Sequence, residues 1–148
     1  PTVLAVGARV LPTFTPGVGP FPQGAGRWID MPTDPMARRA GVALYAALVA
    51  DASLGLIGAR ERIVVEGRFA EAEVFVRALA SLRPQDRIYV SNAQHDVSYG
   101  ALRLLNPGLT PLSSLEPVEP LAQDLRAYAD LWRRDAARIG AAGAAAGM

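Results

Sequence analysis

The stretch that decides the fold is Arg62–Asn106, which reads RIVVEGRFAEAEVFVRALASLRPQDRIYVSNAQHDVSYGALRLLN. Two short runs rich in β-branched residues, Ile63–Val65 and Ile88–Val90, are each followed by a segment whose apolar residues have helical spacing. A strand, a crossover helix, a second strand and a helix form the minimal unit of a parallel α/β sheet. The sequence therefore predicts an α/β fold with a short, mostly parallel sheet flanked by helices.

The two places where a predicted strand passes into a helix, Glu66–Glu71 and Ser91–Gly100, are the candidate functional positions. In open α/β sheets, ligands bind beyond the carboxyl ends of the strands, where helix N-termini and backbone N–H groups converge. Gly67 has two interpretations: it lets backbone N–H groups approach a phosphate, or it only permits a tight turn. Gly100 has the same two interpretations.

The second junction also contains His95 and Asp96, which invite a catalytic interpretation. No nucleophile accompanies them, and Asp96 is most simply the N-cap of the following helix. His95 is most simply an exposed loop residue. From the residues alone, we predict a nucleotide- or phosphate-binding α/β unit with no visible catalytic group.

Composition excludes several classes of site. The 148 residues fit one domain; they include no Cys and one His, which excludes disulfides, thiolate nucleophiles and His-rich metal clusters. There is no Lys, so a Walker-type phosphate loop is excluded. Net charge is +1 with scattered arginines, and no apolar run is long enough to span a bilayer, so we predict neither nucleic acid nor membrane as a partner.

The chain starts at Pro1 without a Met or a signal-peptide pattern, which favours processing or a fragment of a longer polypeptide.

The region before this unit contains a predicted strand, a loop and a helix. Thr2–Val10 alternates weakly and is predicted to be a strand. Leu11–Trp28 is rich in Pro and Gly, and its aromatic residues (Phe14, Phe21 and Trp28) are spaced like anchors. This loop is either a packed irregular connection or the border of a ligand cleft.

The helix that follows is predicted over Met36–Leu54, with Asp34 as N-cap, Pro35 in the first helical position and Gly55 as the stop. Its predicted buried stripe contains Val42, Tyr45, Leu48, Val49 and Ala52.

Within and after the α/β unit, three more helices are predicted. The crossover helix ends at Pro84; it turns Val74, Phe75, Ala78, Leu79 and Leu82 inward and Glu71, Glu73, Arg77 and Arg83 outward. A short helix spans Val97–Leu105, and Thr110–Pro120 is predicted to be a linker. A last helix over residues 120–138 carries a stripe that docks within the subunit or across a homodimer, and residues 140–148 are predicted to be a flexible tail. That stripe contains Leu121, Leu125, Tyr128, Leu131 and Trp132.

The order of these elements resembles the C-terminal part of the FGGY carbohydrate kinases, which have the actin-like, ribonuclease-H-like ATPase fold. In that family the strand ends in Gly-Gly-x-x-x-Asn; its backbone contacts the nucleotide phosphates and the Asn lies near the adenine. Here Gly67 matches the second glycine, Glu66 stands in place of the first, and Glu71 takes the Asn position. Arg68 is the nearest residue to offset the Glu66 carboxylate beside a phosphate.

Three further stretches carry the resemblance. His95–Leu102, which includes Gly100, is similar to a later family pattern, an acidic residue shortly before Ala-Leu-Gly-Ala-Ala. The loop that begins at Leu11 resembles a proline-rich loop near the domain interface. Arg39–Asp51 resembles the long helix after that loop, although the family helix ends in Glu-Gly and this one contains Ala50-Asp51.

The resemblance implies that residues 1–139 are a partial actin-like ATPase domain. ATP with Mg²⁺ is the implied cofactor, bound at Glu66, Gly67, Arg68, Glu71 and Gly100, and no metal ligand is implied within this chain. The implied reaction transfers the ATP γ-phosphate to a hydroxyl of a sugar, a pentulose or related keto-sugar, in the cytoplasm. The catalytic Asp and the acidic residue that helps to hold Mg²⁺ lie in upstream motifs of the family, so this segment alone is expected to be inactive and to need the upstream kinase portion.

The alternative is a non-catalytic α/β binding or assembly module that has kept the fold and lost the kinase chemistry. Glu66 and the missing catalytic motifs are the features that favour it. An actin-like phosphate hairpin in the upstream sequence would favour the kinase, and its absence would favour the module.

Overall fold

A computed structural model describes residues 2–91, 97–109 and 114–146. Within these ranges the helices are α1 Thr2–Val6, α2 Pro35–Leu56, α3 Glu73–Leu82, α4 Val97–Leu105 and α5 Arg126–Ala146, with a 3₁₀ turn at Gly67–Phe69. The strands are β1 Arg9–Leu11, β2 Arg27–Ile29, β3 Arg62–Val65, β4 Arg87–Ser91 and β5 Leu115–Pro117. The α/β class predicted from the sequence is confirmed.

The larger sheet has the strand order β3–β4–β5. β3 and β4 are parallel, with Ile63 opposite Ile88, as the α/β unit predicts. β5 pairs antiparallel with β4, so the prediction of a linker throughout Thr110–Pro120 is wrong over β5. The prolines of that segment favour a linker over a strand in the sequence. An edge strand nevertheless tolerates a proline, because the N–H groups on its outer side need no partner.

The N-terminal strand prediction, Thr2–Val10, is wrong over α1. The helix ends where the N–H of Ala8 donates to Val3 O (3.1 Å) and that of Gly7 to Leu4 O (3.4 Å). Burial of Val3 against the core favours this helical turn over the weak strand alternation. β1 follows and pairs antiparallel with β2, so the last residues of the predicted loop, Arg27 and Trp28, belong to a strand.

α2 confirms the predicted long helix and its cap: the Asp34 carboxylate accepts the Ala37 N–H at 2.7 Å. Its predicted stop at Gly55 is wrong, because the helix continues to Leu56 and closes at Gly58. Gly58 has φ +68°, and its N–H donates to Gly55 O while the Ala59 N–H donates to Leu54 O, a pattern that satisfies the last carbonyls.

The buried face of α2 differs from the predicted stripe. Val42 is 51% exposed, whereas Leu44, Ala47 and Leu48 are buried. α2 is apolar on most sides, so periodicity could not select the face that packs. By length and composition alone it could cross a bilayer, but its buried face lies in the core against α3 and β1. Gly41 lies against Trp28, where a Cβ would be 2.7 Å from the indole ring.

α3 ends at Leu82, as the Pro84 signal predicts, but Arg83 is 2% exposed rather than turned outward. Its guanidinium donates to Asp86 (2.7 Å), Asp51 (3.1 Å) and Ala59 O (2.7 Å), and so ties the end of α3 to α2. Burial would raise the pKa of Asp86, but the Glu61 N–H and the Arg83 guanidinium hold it below its usual range. These partners replace the water that a buried charge loses.

The predicted terminal helix begins at residue 126 rather than 120 and continues to Ala146. Asp124 accounts for the late start, because its carboxylate accepts the Arg126 N–H at 2.9 Å. Alanine has the highest helix propensity, which accounts for the extension past residue 138. Docking of the stripe is confirmed: Trp132 and Tyr128 are buried, with hydrogen bonds to Val10 O (2.6 Å) and Ala8 O (2.9 Å).

Candidate functional site

The first predicted junction forms an open turn after β3. Gly67 has φ +66°, a conformation that side chains with a Cβ rarely adopt, and among the described residues other than its two chain neighbours no atom lies within 4 Å of the position of a Cβ there. The prediction that Gly67 opens the crossover helix is wrong, because a 3₁₀ turn comes first and α3 begins only at Glu73. The aromatic ring of Phe69 packs on Phe75 of α3, with centroids 5.1 Å apart, and this contact ties the turn to the first turns of α3.

The polar side chains of this turn are exposed. The side chains of Glu66, Arg68 and Glu71 make no hydrogen bond or ion pair with other residues that the structure describes. They follow the carboxyl end of β3, so they lie at the sheet edge where α/β proteins bind ligands. Their charged groups are therefore available to a ligand that approaches Gly67.

A groove of about 380 Å³ lies beside the turn, between α2 and α3. Phe69, which is 59% exposed, belongs to both the turn and the groove. Arg39 lines the groove and forms no ion pair within the described ranges, whereas the neighbouring Arg38 donates to Pro32 O at 2.7 Å. The remaining lining is apolar: Val42, Ala43, Ala46, Ala72 and Phe75.

The second predicted junction is described only in part. His95 and Asp96 lie outside the described residues, and Gly100 lies within α4. Because β3 and β4 are parallel, both junctions follow strand ends at the same edge of the sheet.

The described part of the chain holds no group of three or more His, Asp or Glu side chains that could bind a metal. A divalent cation would fit here only if it were carried by the phosphates of a ligand. The carboxylate of Glu66 alone provides too few oxygen ligands to bind a divalent cation.

The groove is not predicted from the sequence. The sequence pattern places Val42 in the buried stripe, and no motif marks Phe69 or Arg39 as a site residue. A weak signal for the groove was present: Phe69 is a large aromatic residue two positions after an expected surface glycine. Such a residue needs an apolar neighbour, and Phe75 supplies it.

Comparisons with known proteins agree with this architecture. Residues 1–112 match the family described as carbohydrate kinase FGGY, C-terminal domain. A solved structure of a carbohydrate kinase from Novosphingobium aromaticivorans is similar to the chain, with 55% sequence identity and a TM-score of 0.85. The similarity covers 92% of this chain and 30% of that kinase, so the chain spans about 30% of this relative's length. No curated protein matches the chain.

Proposed function

Because the chain belongs to the FGGY carbohydrate kinases, whose C-terminal domain it matches, we propose that it is the nucleotide-binding part of an ATP-dependent sugar kinase. The complete enzyme transfers the γ-phosphate of ATP to a hydroxyl of a pentulose or related keto-sugar in the cytoplasm. This segment alone is inactive, since it needs the rest of the kinase polypeptide. A homodimer stays a prediction.

The observation that carries the proposal is the shared position of an open glycine turn and an apolar groove. The groove, about 380 Å³ in volume, is large enough for a flat aromatic base between α2 and α3. Phe69, which is 59% exposed and backed by the buried ring of Phe75, offers aromatic surface to a base, and Gly67 leaves its backbone open to phosphates at the other end. Arg68 and Arg39 supply positive charge beside these positions.

The work of these residues is positioning. Phosphoryl transfer depends on alignment of the attacking and leaving oxygens and on charge stabilisation. The turn and groove hold the nucleotide so that its γ-phosphate faces the sugar, and Arg68 offsets the negative charge of Glu66. A Mg²⁺ ion would be held by the phosphates of the nucleotide rather than by described residues of this chain, and it would supply charge neutralisation at the transferred group. We assign the base that deprotonates the sugar to the part of the kinase outside this chain.

One observation favours the second candidate, a non-catalytic module. The exposed carboxylate of Glu66 adjoins Gly67 and forms no ion pair within the described ranges, so it would repel a phosphate unless a cation intervenes. A Glu66→Gly change would then strengthen nucleotide binding in a weakened kinase.

The test compares two glycines of the full-length kinase that have the same backbone conformation. Gly67 has φ +66° and Gly58 has φ +68°, and both have open space around the Cβ position. Valine at either position costs about 1–2 kcal/mol of strain. We expect Gly67→Val to weaken ATP binding, measured by calorimetry, at least about tenfold, or about 1.4 kcal/mol. Gly58→Val should lower stability alike and leave ATP affinity unchanged. Equal ATP affinity in both variants would contradict the assignment of the turn.

A further inference from the structure

Arg39 is a charged side chain of the groove between α2 and α3 that is available to a ligand. It is exposed, and within the described ranges it forms no hydrogen bond or ion pair. Arg38, which also lines the groove, is instead held by donation to Pro32 O (2.7 Å) and Thr33 O (3.2 Å). A guanidinium is planar and always charged, and it stacks on aromatic faces. Arg39 therefore offers a flat cationic surface to a ligand in the groove.

The wall that faces α2 presents an aromatic ring. Phe69 is 59% exposed and Phe75 is 7% exposed, and their ring centroids are 5.1 Å apart. Because this contact holds the ring of Phe69, a ligand that stacks on Phe69 immobilises little that was free before. On the α2 wall, Ala43 and Ala46 have small side chains, which leave room for a flat ring between the two walls.

The chemistry of the two walls fits a purine base. Stacking on an aromatic side chain stabilises every base, because every base has a π-face. A cation is also attracted to the face of a π-system. A purine has two fused rings and so presents more area to both walls than a pyrimidine does. Adenine and guanine differ in groups at their edges, which lie in the plane of the base and away from both walls.

We propose that Phe69 and Arg39 clamp the two faces of a purine base, so that the kinase uses ATP and GTP alike and discriminates against pyrimidine nucleotides. This inference rests on the proposed function, because it specifies the phosphoryl donor of the same site. Gly67 and Phe69 are the two ends of one 3₁₀ turn, so a single nucleotide reaches both with its phosphates and its base. Arg39 is then a specificity-determining residue that acts through the planar shape of its guanidinium.

The transfer step is the same with either donor. The bond between the γ-phosphorus and the β–γ bridging oxygen breaks, and the sugar oxygen bonds to that phosphorus. The hydroxyl proton passes to the general base outside this chain, and ADP or GDP leaves.

The experiment is calorimetry of ATP, GTP and CTP, each with Mg²⁺, on the full-length kinase. We expect ATP and GTP affinities within about threefold of each other and a CTP affinity about tenfold weaker, because stacking area sets the difference. Arg39→Lys keeps the charge but removes the planar group. It should weaken ATP and GTP binding about fivefold and CTP binding less, so that the ratio of ATP to CTP affinity falls.

Arg38→Lys is the matched control, because it replaces a guanidinium of the same helical turn that donates to backbone carbonyls. It should leave the ratio of ATP to CTP affinity unchanged. Phe69→Leu should lower that ratio, as Arg39→Lys does. All three side chains are exposed, so circular dichroism should show that each variant is folded.

Three results would overturn the proposal. ATP binding more than about tenfold tighter than GTP binding would show that the edge of the base is read, and it would leave the nucleotide-binding function standing. A ratio of ATP to CTP affinity that is unchanged in Arg39→Lys would assign Arg39 to the phosphates or to no contact with the nucleotide. Failure of the folded wild-type kinase to bind any of the three would refute the proposed function, and the clamp with it.

Discussion

At the scale of single residues, Tyr128 makes the fold sensitive to alkaline pH. Its ring is buried, its hydroxyl donates to Ala8 O at 2.9 Å, and burial raises its pKa from 10.0 to about 12. A raised folded-state pKa contributes stability that is complete below pH 10 and is lost as pH rises through about 12. We expect a loss on the order of 2 kcal/mol across this window, measured as the urea midpoint at pH 9 to 12. Tyr128→Phe should cost about 1 kcal/mol at neutral pH and flatten this dependence. An unchanged alkaline slope in the variant would assign the effect to another group.

Residues also show where sequence reasoning reaches its limit. Asp34 was predictable as a cap because the signal is local: a side chain bonds to an amide three residues away. Arg83 was not, because its partner Asp51 lies 32 positions earlier in the chain and helical spacing only indicates a surface position. The turn at Gly67 is predictable because a glycine directly follows a predicted strand. The groove is not, because Arg39 and Phe69 are distant in the sequence and line the same groove only in the folded chain.

At the scale of elements, Trp132 fixes α5 to the N-terminal hairpin. It is 1% exposed, packs edge-on to Phe21 at 5.2 Å between ring centroids, and its indole N–H donates to Val10 O. Trp132→Ala should destabilise the full-length kinase by about 3–5 kcal/mol, measured by urea denaturation. Arg134→Ala, an exposed position on the same helix, should change stability by less than about 0.5 kcal/mol. If the two variants denature at the same urea concentration, α5 does not contribute to the core.

Elements with strong local signals are predicted well: the parallel pair β3–β4 and α4 lie where the sequence places them, and α3 ends as predicted although it begins later than Gly67. The errors were at α1, β2 and β5, which have three to five residues each and are stabilised by partners distant in the chain. β5, for example, forms because Glu116 pairs with Val90. The residues around Glu116 in the sequence do not reveal that it pairs with Val90.

At the scale of the whole molecule, the resemblance to the FGGY kinases is confirmed by the family match over residues 1–112, and it supplied what periodicity could not. Within the described residues, the core lies beneath α2 and α3. The turn and the groove of the candidate site lie in this part of the chain, and the proposed function places the catalytic base outside it.

A divided site predicts that ATP–Mg²⁺ binds this chain weakly and the full-length kinase tightly. In the proposed function, the Gly67 turn and the groove would contact one side of a nucleotide, and the remaining polypeptide would supply the other side and exclude water. Calorimetry on residues 1–148 and on the full-length protein, each shown to be folded by circular dichroism, should give affinities that differ by at least about tenfold, or about 1.4 kcal/mol. If the full-length kinase binds tightly, ADP release should then depend on a keto-sugar, which identifies the substrate class. If neither binds although both are folded, the chain is the non-catalytic module rather than part of a nucleotide site, and restored binding in Glu66→Gly would identify the Glu66 carboxylate as the cause.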